Sequence, residues 1–91
     1  MWILKLTGQF KRDLKRCKLD NIKIKELKVV LKQLQDTGKV DQKYKPHTLS
    51  GKYKGYLECH IKNDFLLIWL DESNNVIVLV RLGSHSELFK K

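Results

Sequence analysis

Hydrophobic and polar positions follow different periods along the chain, and the changes of period mark the predicted elements. Residues 2–6 mix alternation with aliphatic side chains and end at Thr7 and Gly8, which predicts a strand and then a helix start. Apolar positions next recur at helical spacing through residues 10–17 and again through residues 22–35. The first half of the chain is therefore predicted to be a strand followed by a helical hairpin.

The second half of the chain has the patterns of strands. Residues 39–52 hold the only proline and several turn formers, which predicts a loop. Residues 53–61 alternate, whereas residues 65–70 and 76–80 are apolar throughout, as is typical of central strands. The predicted fold is α+β in the order β-α-α-β-β-β, an antiparallel sheet packed on a helical hairpin with a short C-terminal helix. At 91 residues it is one domain, residues 1–91.

The alternating strand separates two sets of side chains, one predicted to face the core and one to face solvent. The solvent set contains a cation, a phenol, a carboxylate and an imidazole, which are groups used in acid–base chemistry. Cross-strand pairing on an ordinary wet face explains the same pattern equally well. The core set is Tyr53, Gly55, Leu57, Cys59 and Ile61, and the solvent set is Lys54, Tyr56, Glu58 and His60.

The C-terminal stretch combines the last strand with an arginine, a glycine turn and a helix start. Ser84 and Glu87 have the spacing of a capping box, which makes His85 the first residue of a helical turn. Arg81 supplies a planar, permanently charged fork that suits phosphate oxygens, so a phosphoryl site is predicted. The alternative is that Arg81 pairs with Glu87 or Asp71. His85 would then simply be exposed.

Composition narrows the class of protein and its partners. A chain with 42% hydrophobic and 32% charged residues is typical of a soluble globular protein. The longest apolar run is too short to cross a bilayer and the first residues lack a signal peptide's apolar core, so no membrane contact and a cytoplasmic location are expected. The net charge of +9 favours phosphate backbones or acidic partners.

Cysteine and histidine spacing predicts no metal site and no other cofactor. Cys17 and Cys59 lie on predicted core-facing positions and lack CxxC spacing, so they are expected to be buried free thiols. The three histidines His47, His60 and His85 do not have the spacing of a metal-binding motif.

A resemblance to a known family rests on three linked segments, KPHTLSGKYKGYLECHI, NDFLLIW and LVRLGSHSELF. Together they resemble the RelE/ParE superfamily of bacterial toxins, and most closely the YafQ-type mRNA interferases. The order of elements matches over nearly the whole chain, whereas the N-terminal helices match only in character. The resemblance implies the toxin of a type II toxin–antitoxin system. It also implies metal-independent cleavage of mRNA in the ribosome, which leaves a cyclic phosphate and a 5′-hydroxyl.

The resemblance also implies roles for five residues in the cleavage step. His85 is expected to be the general acid, and His60 or His47 the general base. Asp64 is expected to orient a histidine, and Arg81 to clamp the phosphate. These roles suit the chemistry, because attack by a ribose 2′-hydroxyl needs a base, an acid for the leaving oxygen and a cation for the phosphorane.

RNA and protein contacts follow from the same resemblance. Phe89 is expected to stack on a base or to pack. Glu58, which stands where the family often has an acidic residue, is expected to bind RNA, as are Lys52 and Lys54. The implied partners are mRNA, the ribosome and a cognate antitoxin with an acidic segment. Two other functions remain open at this point: a ParE-like toxin directed at DNA gyrase, and a basic nucleic-acid-binding module without catalysis.

Overall fold

The chain folds in the predicted order of elements, with one additional short strand. The computed structural model describes residues 1–89. Its helices and strands are β1 (Ile3–Leu6), α1 (Gly8–Cys17), α2 (Asn21–Thr37), β2 (His47–Thr48), β3 (Leu57–Lys62), β4 (Phe65–Glu72), β5 (Val76–Gly83) and α3 (His85–Leu88). Two single-turn 3₁₀ helices, Gln42–Tyr44 and Gly51–Tyr53, flank β2 within the segment predicted to be a loop. The predicted α+β class is confirmed.

The sheet is mixed rather than purely antiparallel. Over the described residues its five strands run in the order β1-β5-β4-β3-β2. The predicted antiparallel arrangement holds for β2 to β5, but β1 pairs with β5 in parallel, with Ile3 opposite Val76. Short hairpin turns force successive strands to be antiparallel, whereas a helical connection allows either direction. The direction of β1 is therefore a property of the tertiary fold.

Local sequence signals determine where the two long helices begin and end. The Thr7 side chain accepts from the amide of Phe10 at the start of α1, and Asp20 caps α2 in the same way. Gly38 ends α2 with a φ of 74°, and a Cβ there would lie 2.5 Å from the Trp2 ring. Asp20 and Gly38 are residue types that favour the start and the end of a helix, so both ends of α2 have local causes.

Apolar side chains cover both faces of the sheet. The main core lies between the sheet and the two long helices. Because successive residues of a strand point to opposite faces, Leu66 and Ile68 lie on the other face, where they pack with Leu88 of α3. The buried residues of the main core include Phe10, Leu27, Val30, Leu34, Cys59, Phe65, Leu67, Trp69, Ile77, Leu79 and Leu82. The face expected to be wet is therefore a second, smaller apolar layer.

The alternating segment differs from its prediction in two ways. β3 begins only at Leu57, because residues 51–55 turn with φ values of 69° at Gly51 and 91° at Gly55. Tyr53 consequently packs with Tyr56 in the smaller apolar layer instead of in the main core. Glu58, predicted to face solvent, is buried.

Two further expectations were that both cysteines are buried free thiols and that the chain makes no membrane contact. Cys59 is buried, and burial raises the pKa of its thiol to about 12, whereas Cys17 is half-buried. Both are unbridged thiols. Within residues 1–89, no helix is both long enough and apolar enough to cross a membrane.

Candidate active site

Two histidines share one buried carboxylate at the edge of the sheet. Pairing of β2 with β3 places His47 opposite Glu58, and His60 lies two residues further along the same face of β3. Oε1 of Glu58 is 3.1 Å from Nε2 of His47 and 3.8 Å from Nε2 of His60. A strand of only two residues therefore brings His47, predicted to lie in a loop, beside His60.

Glu58 has an oxygen that the surrounding protein does not satisfy. Its side chain is 4% exposed because His47 and the neighbouring strands cover it. Among the described residues, its Oε2 atom has no hydrogen-bond partner. Burial of an unpaired carboxylate oxygen is unfavourable, so this atom has an unused capacity to accept a hydrogen bond.

The third histidine is held by an exposed carboxylate. Asp64 lies in the turn between β3 and β4. Its Oδ1 atom accepts from the backbone amide of His85 at 2.9 Å and lies 2.6 Å from Nδ1 of the same residue. These two contacts, the backbone one first, lower the pKa of Asp64. They also leave Nε2 as the ring nitrogen of His85 that does not face the carboxylate.

The start of α3 has the predicted capping box. The Ser84 hydroxyl accepts from the amide of Glu87, and the Glu87 carboxylate accepts from the amide of Ser84. His85 is therefore the first residue of a helical turn, as predicted. The other oxygen of Glu87 pairs with Nε of Arg16 at 3.0 Å.

Arg81 pairs with a residue that the sequence analysis missed. Its Nε donates to Oδ2 of Asp13 at 2.8 Å, and Asp13 is fully buried in α1. The suggested pairing of Arg81 with Glu87 or Asp71 is therefore wrong. Asp13 lies between Phe10 and Leu14 on the apolar stripe of its helix, and an acidic residue at such a position was the signal for a buried ion pair.

Asp13 occupies the place of a missing strand neighbour. β1 ends opposite Leu79, so the last part of β5 lacks a partner strand on that side. Side chains from the start and the middle of α1 hydrogen-bond to the backbone of β5 in its place. Thr7 donates to the carbonyl of Val80, and Asp13 accepts from the amide of Leu82 at 3.0 Å. Burial favours a raised pKa for Asp13, but hydrogen bonds from Arg81, from the Leu82 amide and from Arg16 outweigh it and lower the pKa. The hydrogen bond to Asp13, in turn, raises the pKa of Arg81.

The three histidine rings and two further aromatic rings form one continuous row. Ring centroids are 5.9 Å apart for His47 and His60, 5.8 Å for His60 and His85, and 6.0 Å for His85 and Phe89. Tyr53 continues the row, with its ring 5.7 Å from that of Phe89. The structure thus brings the three predicted histidines and Phe89 together.

The two predicted RNA-binding lysines lie at the end of this row. Lys52 is exposed in the second 3₁₀ helix, and its Nζ is 5.8 Å from the centroid of the Tyr53 ring. Lys54 is exposed directly after that helix. Both lysines are therefore exposed to solvent beside Tyr53 in the sequence.

Known proteins of one family match this protein over nearly the whole chain. Residues 3–90 match the family described as "Bacterial toxin of type II toxin-antitoxin system, YafQ". The mRNA interferase toxin YafQ of Escherichia coli K12 is 29% identical over 87 residues, which are 94% of each chain. A copper-bound mutant toxin from Helicobacter pylori has a TM-score of 0.86 and 37% identity, and the match covers 98% of this chain and 100% of that one.

A chain of the E. coli DinJ–YafQ toxin–antitoxin complex is similar as well, with a TM-score of 0.82, 28% identity and 97% of each chain covered. The predicted resemblance to YafQ-type toxins is confirmed. The chain belongs to the YafQ family of bacterial toxins of type II toxin–antitoxin systems.

Proposed function

We propose that this toxin is a ribosome-dependent endoribonuclease that cleaves mRNA by attack of a ribose 2′-hydroxyl on the adjacent phosphate. The observation that carries the proposal is the row of three imidazoles, two beside Glu58 and one beside Asp64, at the surface of a +9 chain. The similarity to the E. coli mRNA interferase supports it. The products are a 2′,3′-cyclic phosphate and a 5′-hydroxyl.

The imidazoles beside the two carboxylates have different roles. The base is one of the two histidines beside Glu58, and the acid is the histidine beside Asp64. His60 or His47 accepts the proton of the 2′-hydroxyl, and Glu58 orients both rings from its buried position. His85, held through Nδ1 by Asp64, protonates the leaving 5′-oxygen from Nε2. The His60 and His85 rings are 5.8 Å apart, a spacing at which base and acid can contact opposite sides of one phosphate.

Arg81 stabilises the charge that develops on the phosphate. Its Nε and Nη2 atoms contact Asp13, so the ion pair leaves Nη1 for a phosphate oxygen. Asp13 is a positioning residue in this scheme, because it holds the guanidinium and the backbone of β5 with the same carboxylate. The side chains supply base, acid and cation, and the reaction therefore requires no metal ion.

RNA contacts lie beyond the reacting atoms. Phe89 stacks on a base next to the cleaved phosphate, while Lys52 and Lys54 bind phosphates along the RNA chain.

The E. coli relative forms a complex with the DinJ antitoxin, and we propose a cognate antitoxin here too. An acidic segment of it would cover the histidine row, because the same cations that attract RNA attract carboxylates. Ribosome-dependent action places the protein in the cytoplasm.

We propose separately that three residues of this site can bind a metal ion. The H. pylori relative is copper-bound, and in this chain the ligand atoms of His47, Glu58 and His60 lie within 4.8 Å of one another. Two imidazoles and a carboxylate form a donor set that suits copper or zinc. The residues present therefore fit such an ion, although no step of the cleavage uses one.

The decisive experiment compares wild type with His85→Gln in a cell-free translation reaction, with mRNA 5′ ends mapped by primer extension. We expect translation-dependent new ends, and a loss of about 10²-fold or more in cleavage rate in the variant, because the leaving oxygen lacks its acid. Ribosome binding and thermal melting should be unchanged. Lys28→Gln, which removes an exposed charge from α2, is the matched control and should cleave normally.

Two outcomes would contradict the proposal. If cleavage and ribosome binding fell together in His85→Gln, the residue would serve binding and not catalysis. If wild type left mRNA intact while folded, a gyrase-directed toxin would become the better account, and DNA supercoiling would be assayed next.

A further inference from the structure

We propose that His47, Glu58 and His60 form an inhibitory site for a late transition-metal ion such as Zn²⁺. The inference rests on the proposed function, since it concerns control of the same residues. It goes beyond metal uptake, because it assigns the ion to the general-base half of the site and predicts that the bound ion stops cleavage.

The spacing of the three ligand atoms suits a single small ion. Oε1 of Glu58 lies 3.1 Å from Nε2 of His47 and 3.8 Å from Nε2 of His60. In a tetrahedral zinc site with bonds of about 2.0–2.1 Å, neighbouring ligand atoms lie roughly 3.3 Å apart. The two distances to Glu58 lie on either side of this value, and all three ligand atoms lie within 4.8 Å of one another. We therefore propose that one ion can contact all three after side-chain adjustments.

A hydrogen bond to the backbone prepares one of the imidazoles for a metal. Nδ1 of His47 lies 2.9 Å from the carbonyl oxygen of Lys45. A carbonyl only accepts, so Nδ1 carries a hydrogen, and the tautomer with that single ring hydrogen presents the lone pair of Nε2 to Glu58. Metal-binding histidines usually make the same contact through their other ring nitrogen, because it fixes the tautomer and the ring orientation.

Glu58 brings a buried carboxylate to this group of three residues. Its carboxylate is 4% exposed, and its Oε2 atom lacks a hydrogen-bond partner within residues 1–89. Nε2 of His47 and Oε1 of Glu58 lie 3.1 Å apart, so a proton or a metal ion placed between them would contact both atoms. A proton in this place belongs to the catalytic cycle, and a metal ion competes with it.

A bound metal ion blocks both candidate bases, His47 and His60, but leaves the proposed acid, His85, unchanged. Coordination uses the Nε2 lone pair of His47 and of His60, so neither ring can take the proton of a 2′-hydroxyl. His85 stays paired with Asp64 and lies outside the three-ligand group. Cu²⁺ should bind more tightly than Zn²⁺, whereas Mg²⁺, which prefers oxygen ligands in octahedral geometry, should not bind.

The site itself is tested by calorimetric titration of Zn²⁺ into metal-stripped protein. Wild type should bind one ion, and its melting temperature should rise by roughly 10 °C or more at a hundredfold excess over the dissociation constant. His47→Gln and His60→Gln should each weaken binding by about tenfold or more. His85→Gln, with a histidine removed from the same row but no ligand lost, is the control and should bind as wild type does.

The binding data can refute the site on their own. Absence of zinc binding by wild type, or wild-type affinity in both His47→Gln and His60→Gln, would overturn it. Loss of binding in His85→Gln would place the ion elsewhere in the row and would overturn the assignment as well. Circular dichroism of each variant shows that the fold is retained, and Glu58→Gln provides a third ligand variant if one of the others does not fold.

Inhibition is tested with zinc-loaded and metal-stripped wild type in the translation reaction, with an equal amount of Zn²⁺ added to a toxin-free reaction. The loaded toxin should cleave at least about tenfold more slowly, and a zinc chelator should restore the rate. Equal or faster cleavage by the loaded toxin would overturn the inhibitory role. If stripped wild type failed to cleave, the proposed function and the inhibitory role would both fall, while calorimetry would still decide whether the metal site exists.

Discussion

Two aspartates hold two of the side chains proposed for catalysis, Arg81 and His85, and they do so in opposite surroundings. Asp13 is fully buried and accepts hydrogen bonds from Arg81, Arg16, Gln9 and the Leu82 backbone. Asp64 has a 59% exposed side chain, and both of its hydrogen bonds come from His85.

The difference matches what each partner has to do. An arginine that stabilises charge must stay charged and in place, which a buried carboxylate with several donors achieves. A histidine that transfers protons must exchange them with substrate and solvent, and a carboxylate in water orients it without isolating it. Replacement of Asp13 should therefore lower the stability of the fold, whereas replacement of Asp64 should change the cleavage activity alone.

The largest effect is expected for Asp13→Ala. The change leaves the largely buried Arg81 guanidinium and the Leu82 amide without their acceptor, and breakage of a buried pair costs about 3 kcal/mol or more. Chemical denaturation measures this loss as a lower free energy of unfolding. Asp36→Ala, which removes an exposed i,i+4 partner of Lys32, is the control and should unfold as wild type does. Equal stability of both variants would show that the Asp13 network does not stabilise the fold.

The pH dependence of the free energy of unfolding should reveal the contribution of the Asp13 carboxylate. The pKa of Asp13 is lowered in the folded state from an ordinary value of 3.8. Its contribution to stability is thus fully present above that value and is lost as the pH falls through the folded pKa. Between about pH 5 and pH 2, wild type should lose more stability than Asp13→Asn, since only wild type has this proton to bind. Parallel curves for the two proteins would refute a lowered pKa at this residue.

The smallest effect is expected for Asp64→Asn. The amide oxygen can still accept from the backbone of His85, but the charge that orients the imidazole is lost. We expect a fall of about tenfold in cleavage rate with an altered pH dependence, while the denaturation midpoint does not change. Single-turnover cleavage over a pH series measures both. A large drop in stability would mean that Asp64, like Asp13, is structural.

Local features of this protein could be predicted because their causes are local. Helical and alternating periods, the cap at Gly38 and the Ser84–Glu87 capping box depend on residues a few positions apart. The resemblance named His47, His60, His85 and Phe89, and the structure places them in one row. Their catalytic roles remain predictions.

Burial and pairing could not be predicted, because they depend on which distant segments meet. Glu58 has the alternation of a solvent-facing residue, yet the two-residue strand that carries His47 pairs beside it and helps to bury it. Asp13 and Arg81 are 68 positions apart, and they meet because β1 is too short to cover the end of β5.

The sequence by itself determined the order of elements, the helix ends and the set of side chains capable of the chemistry, since these follow from backbone preferences and side-chain type. Tertiary structure alone decided which carboxylate holds which cation, which of them is shielded from water, and that two histidines share one buried acid. The physical reason is that the strength of an ion pair depends on its surroundings, and packing of the whole chain creates those surroundings.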